Sequence, residues 1–484
     1  MSYQRRETPD YKSGRAPWAG TKWVVPKHMQ LPKKQMISNK KIIFFVITAI
    51  LFLTAFSFAE GIKDIPPLKP TDRVLILAPH PDDETIGTAG VIQKAIKAGA
   101  RVKVLVYTNG DNNELAFIVY EKRITFRRGE MIYMGEVRRK ETVTAMDHLG
   151  VKKDDIIFLG YPDFGTMEIL TKFWGKTKPF KSFFTRSVKV PYSECLSPGA
   201  SYVGENILKD IKTVLLDFKP NKIFVSSPVD SNRDHRSAYI FLRVALWDLE
   251  DEIGRPEIFT YLTHMQGWPE PRGYHPNLEL DPPDKLTDSM WWKLVLTDEE
   301  VKIKYGCIEL YRSEIKYNAA YLPTFARKNE LFADYPDITL RKEAVTEALP
   351  QGNRPSAERL KEVDSGPIVT YVYQGDDLLI RFDLKKKVRG NLDMSVFLLG
   401  YKNKKDFSQM PKIHISTGMF GLAINDKRDR LSIKEARCYS EDNYFIVRIP
   451  MFVLGDPDYI LAAPKAKWLS AEKTGWRVIK IIKN

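Results

Sequence analysis

The chain has 484 residues, 43% hydrophobic and 28% charged, with no low-complexity tract, enough for two or three folded domains and a large core. Its formal charge of +14 implies attraction to polyanions or an anionic membrane surface, and part of that excess lies in the N-terminal tail. Cys195, Cys307 and Cys438 stand far apart with no CxxC pair, which argues against a cysteine zinc site and a disulfide framework.

Residues 1–35 are polar and rich in Pro, Lys and Arg, and read as a disordered basic tail. Residues 42–59 form one apolar run behind Asn39-Lys40-Lys41, so the segment 36–60 reads as a signal peptide or a membrane anchor. The positive flank predicts that the N-terminal side stays cytoplasmic and that everything after residue 60 is exported. Ser57-Phe58-Ala59 ahead of Glu60 has the small-x-small pattern of a cleavage site, and translation starting at Met36 or Met29 is an open alternative. The expected location is periplasmic or otherwise extracytoplasmic, anchored to the inner membrane by residues 42–59 where the segment is retained.

The body begins with an apolar strand, Val74–Ala78, a turn, and a helix over Thr85–Ala98 stopped by Gly99. Strand Val102–Thr108 completes a βαβ unit, whose crossover helix requires a parallel pair. Residues 112–135 form a long aromatic and basic stretch that reads as a lid or binding loop. An amphipathic helix over Glu136–Leu149 and a strand at Ile156–Leu159 follow. The strand exits into Gly160-Tyr161-Pro162-Asp163, and an irregular stretch runs over 164–201. Helix Val203–Phe218, strand Lys222–Ser226, helix Ser237–Leu249 and strand Glu257–Leu262 continue the alternation. Asp298 to Phe325 is helical, opening on the capping pattern Thr297-Asp298-Glu299-Glu300. The α/β fold expected over residues 66–345 is a Rossmann-like, doubly wound, mainly parallel sheet with every polar cluster at one edge.

Residues 346–367 read as a linker, and residues 368–484 as a β-sandwich-like accessory domain. Its predicted strands are Val369–Tyr373, Leu378–Phe382, Met394–Leu399, Ile413–Ser416, Tyr444–Ile449 and Val478–Ile482.

The first strand exit is His80-Pro81-Asp82-Asp83-Glu84, one His and three carboxylates where an open α/β sheet binds ligands. A divalent metal compensates such a density of acid beside an apolar strand. His80 and Asp83 share one turn, and His235 lies at another strand exit on the same edge. Two His and one carboxylate leave coordination positions open, as in catalytic zinc sites. Asp82 is then free to act as a base toward water. Glu84 reads as a helix cap or a support for a His, and Asp230 and Asp234 as groups orienting His235 and Arg236. Trp268, Trp291 and Trp292 line a sugar site or pack in the core.

These residues resemble a family. His80-Pro81-Asp82-Asp83-Glu84, Asp234-His235-Arg236, and Arg138-Arg139-Lys140-Glu141 ahead of Leu149-Gly150 are together similar to the LmbE/PIG-L de-N-acetylases over about residues 70–330. The resemblance implies a zinc-dependent hydrolase that removes N-acetyl groups from GlcNAc-type sugars, with attack by a zinc-activated water. It implies His80, Asp83 and His235 as zinc ligands, another divalent ion being an alternative, with Asp82 as general base and Arg138 as a substrate contact. Many members carry His-Pro-Asp-His where this chain has Asn232-Arg233-Asp234-His235. Asn232 cannot transfer a proton but can donate to an oxyanion. The acid role then falls to protonated Asp82 or to His264, at another strand exit. The expected partner is an amino-sugar glycan or glycoconjugate, with membrane contact only through the N-terminal segment. Alternative functions are an amidase acting on another acyl group and a non-catalytic glycan-binding envelope protein. No nucleic-acid module is recognisable, and carboxylates replace the glycine-rich loop that a nucleotide cofactor needs.

Overall fold

The computed structural model describes residues 62–112, 119–120, 127–284, 286, 289–342, 368–383, 394–418, 421–441, 444–466 and 475–483. The expected basic tail, the apolar run at 42–59, the linker at 346–367 and, within the expected lid, residues 113–118 and 121–126 lie outside the described residues. Among the described residues no helix is long and apolar enough to cross a membrane. Residues Ile62–Asn484 form one compact unit.

The α/β half is built on an eight-stranded sheet. Its strands are β1 (Lys63–Asp64), β2 (Arg73–Ala78), β3 (Arg101–Thr108), β4 (Ile156–Tyr161), β5 (Lys222–Ser226), β6 (Glu257–Tyr261), β7 (Met290–Val295) and β8 (Asn329–Asp334). Their spatial order is β1-β7-β8-β6-β5-β2-β3-β4. Strands β4, β3, β2, β5 and β6 run parallel, and β8 is antiparallel to both neighbours. The sheet is therefore mainly parallel, as the βαβ pattern requires. From Val74 to Ala78 every residue of β2 is buried, which suits a central strand covered on both faces. The chain winds outward through β3 and β4 and then returns to β5 on the other side of β2. The topological switch point lies between β2 and β5, the place where open α/β sheets bind ligands beyond the carboxyl ends of their strands.

The helices are α1 (Asp83–Lys97), α2 (Arg128–His148), α3 (Thr166–Lys172), α4 (Gly204–Phe218), α5 (Arg233–Asp248), α6 (Glu250–Ile253), α7 (Asp298–Ile308) and α8 (Arg312–Tyr317). Helix α1 begins two residues before its predicted start, and α2 and α5 begin at least four residues before theirs. Helix α2 starts at Arg128, so residues 128–135 are helical rather than part of a lid. Its buried face continues through Met131, Met134, Gly135 and Arg138 at three- and four-residue spacing. Gly135 lies on that face, where a Cβ would collide with the Tyr192 hydroxyl, so close packing selects the glycine. Helix α5 starts at Arg233 instead of Ser237, because the Asn232 side chain caps it by accepting from Asp234 N. That places Asp234 and His235 in the first turn of a helix. The capping box at Thr297 and Glu300 is present as predicted.

The C-terminal half contains β9 (Ile338–Arg341), β10 (Ile368–Gln374), β11 (Asp377–Asp383), β12 (Met394–Tyr401), β13 (Lys412–Gly418), β14 (Gly421–Asp426), β15 (Asp429–Leu431), β16 (Arg437–Glu441), β17 (Tyr444–Pro450), β18 (Tyr459–Ala466) and β19 (Arg477–Ile482). They form a four-stranded sheet, β10-β11-β17-β16, and a seven-stranded sheet, β15-β14-β13-β12-β18-β19-β9. Leu378, Ile380 and Phe382 of the first sheet share one core with Val396, Leu398 and Ile413 of the second, which gives the expected sandwich-like packing. Strand β9 pairs in parallel with β19 although it precedes the linker. The two halves also meet through side chains. Trp247 stacks on Tyr459 with ring centroids 4.4 Å apart, and Trp174 meets Phe407 edge-on at 5.2 Å.

Candidate functional site

His80 sits on the turn leaving β2, and Asp83 opens α1 three residues later. The turn is closed by His80 N donating to Asp83 Oδ2 at 3.0 Å. It also requires φ of 113° at Asp82, a region that a non-glycine residue rarely adopts. His235 enters from α5 across the switch point. His80 Nδ1 lies 3.1 Å from His235 Nε2, and Asp83 Oδ2 lies 3.4 Å from the first and 3.0 Å from the second. All three side chains are buried. The edge of a tetrahedron with metal–ligand bonds of about 2.0–2.2 Å is roughly 3.3 Å. Three lone-pair donors converging at that spacing in a buried site fit a divalent cation, and these residues form a group able to hold one.

The far side of each imidazole faces carboxylate. His80 Nε2 lies 3.1 Å from Asp163 Oδ1 and 3.5 Å from Asp234 Oδ2. His235 Nδ1 lies 3.4 Å from Asp230 Oδ2. Such partners fix the tautomer and orientation of a metal-binding His. Burial opposes charge on His80, but Asp163, Asp234 and Asp83 outweigh it and raise its pKa. His235 is pushed up to about 9: burial opposes its charge, and Asp230 and Asp83 outweigh the burial. Thr263, on the exit from β6, links the groups. Its Oγ1 is 3.2 Å from Asp83 Oδ1, 3.3 Å from Asp230 Oδ2 and 3.0 Å from His264 Nδ1.

Asp82 stands beside this cluster. Burial raises its pKa well above the usual carboxylate range, Arg138 opposes the rise, and Asp83, Glu314 and Glu84 add to it. Arg138 is itself buried. Its Nη2 donates to Pro81 O at 2.9 Å and Asp82 Oδ2 at 3.2 Å, and its Nη1 to Gly110 O at 3.1 Å. Glu314 Oε1 lies 3.3 Å from the same Nη2. The guanidinium thus braces Asp82 and two strand exits. Glu84 accepts from the Asp82 N–H at 3.2 Å and from the Tyr311 hydroxyl, so it supports the turn as a cap.

Asn232 spends its Oδ1 on the helix cap, 2.8 Å from Asp234 N, which leaves Nδ2 as its donor. The His264 ring lies 4.6 Å from the His235 ring at a near-perpendicular angle. The His264 side chain is 33% exposed, against 8% for His80 and 0% for His235, so among the three it is the one open to solvent exchange. Trp268 and Trp291 pack against an apolar cluster that includes Val229 and Leu262, and Trp292 meets Phe259 edge-on, in line with the core-packing alternative. Sequence reasoning gave no role to Asp163 or Thr263. Asp163 ends the exit turn of β4 and Thr263 adjoins His264 on the exit of β6, and that position was the only available signal.

Residues 75–246 match the model of the GlcNAc-PI de-N-acetylase family, PIG-L. Two curated deacetylases of 1D-myo-inositol 2-acetamido-2-deoxy-alpha-D-glucopyranoside are similar to parts of the chain. The one from Mycobacteroides abscessus is 32% identical over 90 residues, which is 19% of this chain and 30% of its own length. The one from Catenulispora acidiphila is 32% identical over 121 residues, 24% of this chain and 36% of its own. The chain therefore spans about a third of the curated relatives it matches. A solved N,N'-diacetylchitobiose deacetylase from Pyrococcus horikoshii aligns over 51% of this chain and 72% of its own, at 22% identity and a TM-score of 0.32.

Proposed function

From a PIG-L family domain over residues 75–246, we propose that this protein is a zinc-dependent N-deacetylase of acetylated amino sugars carried on a glycan or glycoconjugate. The observation that carries the reading is the convergence of His80 Nδ1, His235 Nε2 and Asp83 Oδ2 at 3.0–3.4 Å with Asp82 beside them. Two imidazoles and one carboxylate suit zinc with positions left open. An ion held there would supply Lewis acidity toward the amide carbonyl and lower the pKa of water. The sugar class is supported by the similar deacetylases, which act on a 2-acetamido-2-deoxyglucopyranoside.

The residues of the chain divide the remaining work. Asp82 takes the proton as water oxygen bonds to the acetamide carbon. Arg138 holds that carboxylate in place, and Asn232 Nδ2 is a donor for the oxyanion. As the carbon–nitrogen bond breaks, the amine takes a proton from Asp82 or from His264, and acetate departs. We also propose export. It is supported by the apolar run at 42–59 behind Lys40-Lys41, and retention of that run would add a membrane contact.

The test is acetate release from a panel of N-acetylated mono- and oligosaccharides by the zinc-loaded protein. Release should cease with a chelator and return with zinc. No acetate from any member, with zinc bound, would overturn the reading.

A further inference from the structure

Phe164 occupies the turn between β4 and α3. It directly follows Asp163, whose carboxylate oxygen lies 3.1 Å from His80 Nε2. Its φ is 56°, in the left-handed region that a bulky side chain rarely adopts. Hydrogen bonds hold it there. The amides of Phe164 and Thr166 both donate to the Asp234 carboxylate, as does the Thr166 hydroxyl. Asp234 immediately precedes His235 on α5, so the turn is tied to the element that supplies a metal-site imidazole.

This backbone conformation costs free energy, and apolar burial does not offset it. Phe164 remains 54% exposed as a residue and belongs to none of the apolar clusters among the described residues. Neighbouring Phe180 and Pro162 crowd Gly165 instead. A strained residue that displays an aromatic ring to solvent beside a reactive cluster is the pattern of a ligand contact. We propose that the Phe164 ring is the platform on which a pyranose ring of the amino-sugar substrate stacks, C–H face against π face. The proposal rests on the reading of the site as a sugar N-deacetylase and adds a binding subsite to it.

Phe164→Gly tests it on the full-length, zinc-loaded protein. Glycine adopts this φ without penalty, so the variant should keep its zinc content and melt no lower than wild type. Its KM for an N-acetylated chitooligosaccharide should rise about tenfold, the equivalent of one aromatic contact, with kcat changed less than about threefold. Phe164→Tyr should restore the wild-type KM. An unchanged KM in Phe164→Gly, or a fall in kcat alone, overturns the platform. Titration of the same oligosaccharide by NMR separates this from failure of the functional reading. Wild type that binds the sugar but releases no acetate overturns the deacetylase, while loss of binding in Phe164→Gly still supports the platform. Wild type that neither binds nor deacetylates overturns both.

Discussion

Asp82 and Asp83 are neighbours of one chemical type with separate surroundings. Asp83 faces two imidazoles, whereas Asp82 faces Arg138. Asp82→Asn should therefore lower kcat by roughly 10²–10⁴-fold while zinc content, measured by atomic emission, stays at the wild-type level. A variant that loses zinc would make Asp82 a ligand instead. Asp163→Asn should act on the metal. Weakening the carboxylate behind His80 should cost about 10–100-fold in zinc affinity, read by competition with a chromophoric chelator. Unchanged affinity would leave Asp163 no part in orienting His80. The first half of this site was legible because His80, Asp82 and Asp83 form one local turn. Its meeting with His235, 155 positions away, followed only from the rule that parallel strands collect ligands at one edge. Asp163 and Thr263 were not legible, since one Asp or Thr after a strand is ordinary turn chemistry.

Elements were read well where apolar periodicity was unbroken, as in β2, β3 and α4. They were misread where packing overrode it. Strand β18 carries Pro464 and three alanines, which weaken a strand signal, yet it sits between β12 and β19. Helix α1 was read as a helix, and its glycines show packing choosing residues inside a correctly read element. Gly90 is buried, and a Cβ there would collide with Leu296 Cδ2 and crowd the Glu330 carboxylate. That carboxylate accepts from Gly90 N at 2.7 Å and Val91 N at 3.0 Å, and pairs with buried Lys304 at 2.7 Å. In an exposed helix, Gly→Ala stabilises by about 1 kcal/mol. Here Gly90→Ala should destabilise by about 1–3 kcal/mol through overpacking, measured as a lower urea midpoint. Glu330→Gln should cost about 3–5 kcal/mol by stranding the Lys304 charge. A gain in stability from Gly90→Ala would show that α1 and β8 separate more easily than this packing implies.

At the scale of the whole molecule, the α/β and sandwich halves were legible as two compositional regions, but their union was not. Pairing of β9 with β19 and the Trp247–Tyr459 stack depend on residues more than a hundred positions apart, which no local pattern encodes. Lys412 lies at this junction. It is 1% exposed, with its ammonium 3.7 Å from the Phe407 ring centroid and 4.8 Å from that of Trp174, and it donates to Met410 O at 2.8 Å. Burial is the main reason its pKa falls well below the ordinary lysine value; Lys427 adds to the fall, and Asp426 opposes it. The unfolded chain titrates this group near 10.4. Between the folded value and about 10.4 the unfolded state binds more protons, so this residue makes stability rise with pH across that window. Lys412→Met removes the contribution but also leaves the Met410 and Phe407 carbonyls without their donor, a cost of about 1 kcal/mol each that does not vary with pH. The informative quantity is therefore the pH dependence of the difference. Relative to wild type, Lys412→Met should be more favourable at pH 7 than at about pH 10, as read from urea midpoints. A difference that stays flat over that range would mean that the aromatic faces and carbonyls hold Lys412 fully charged in the fold, and that the junction tolerates a buried cation at no cost.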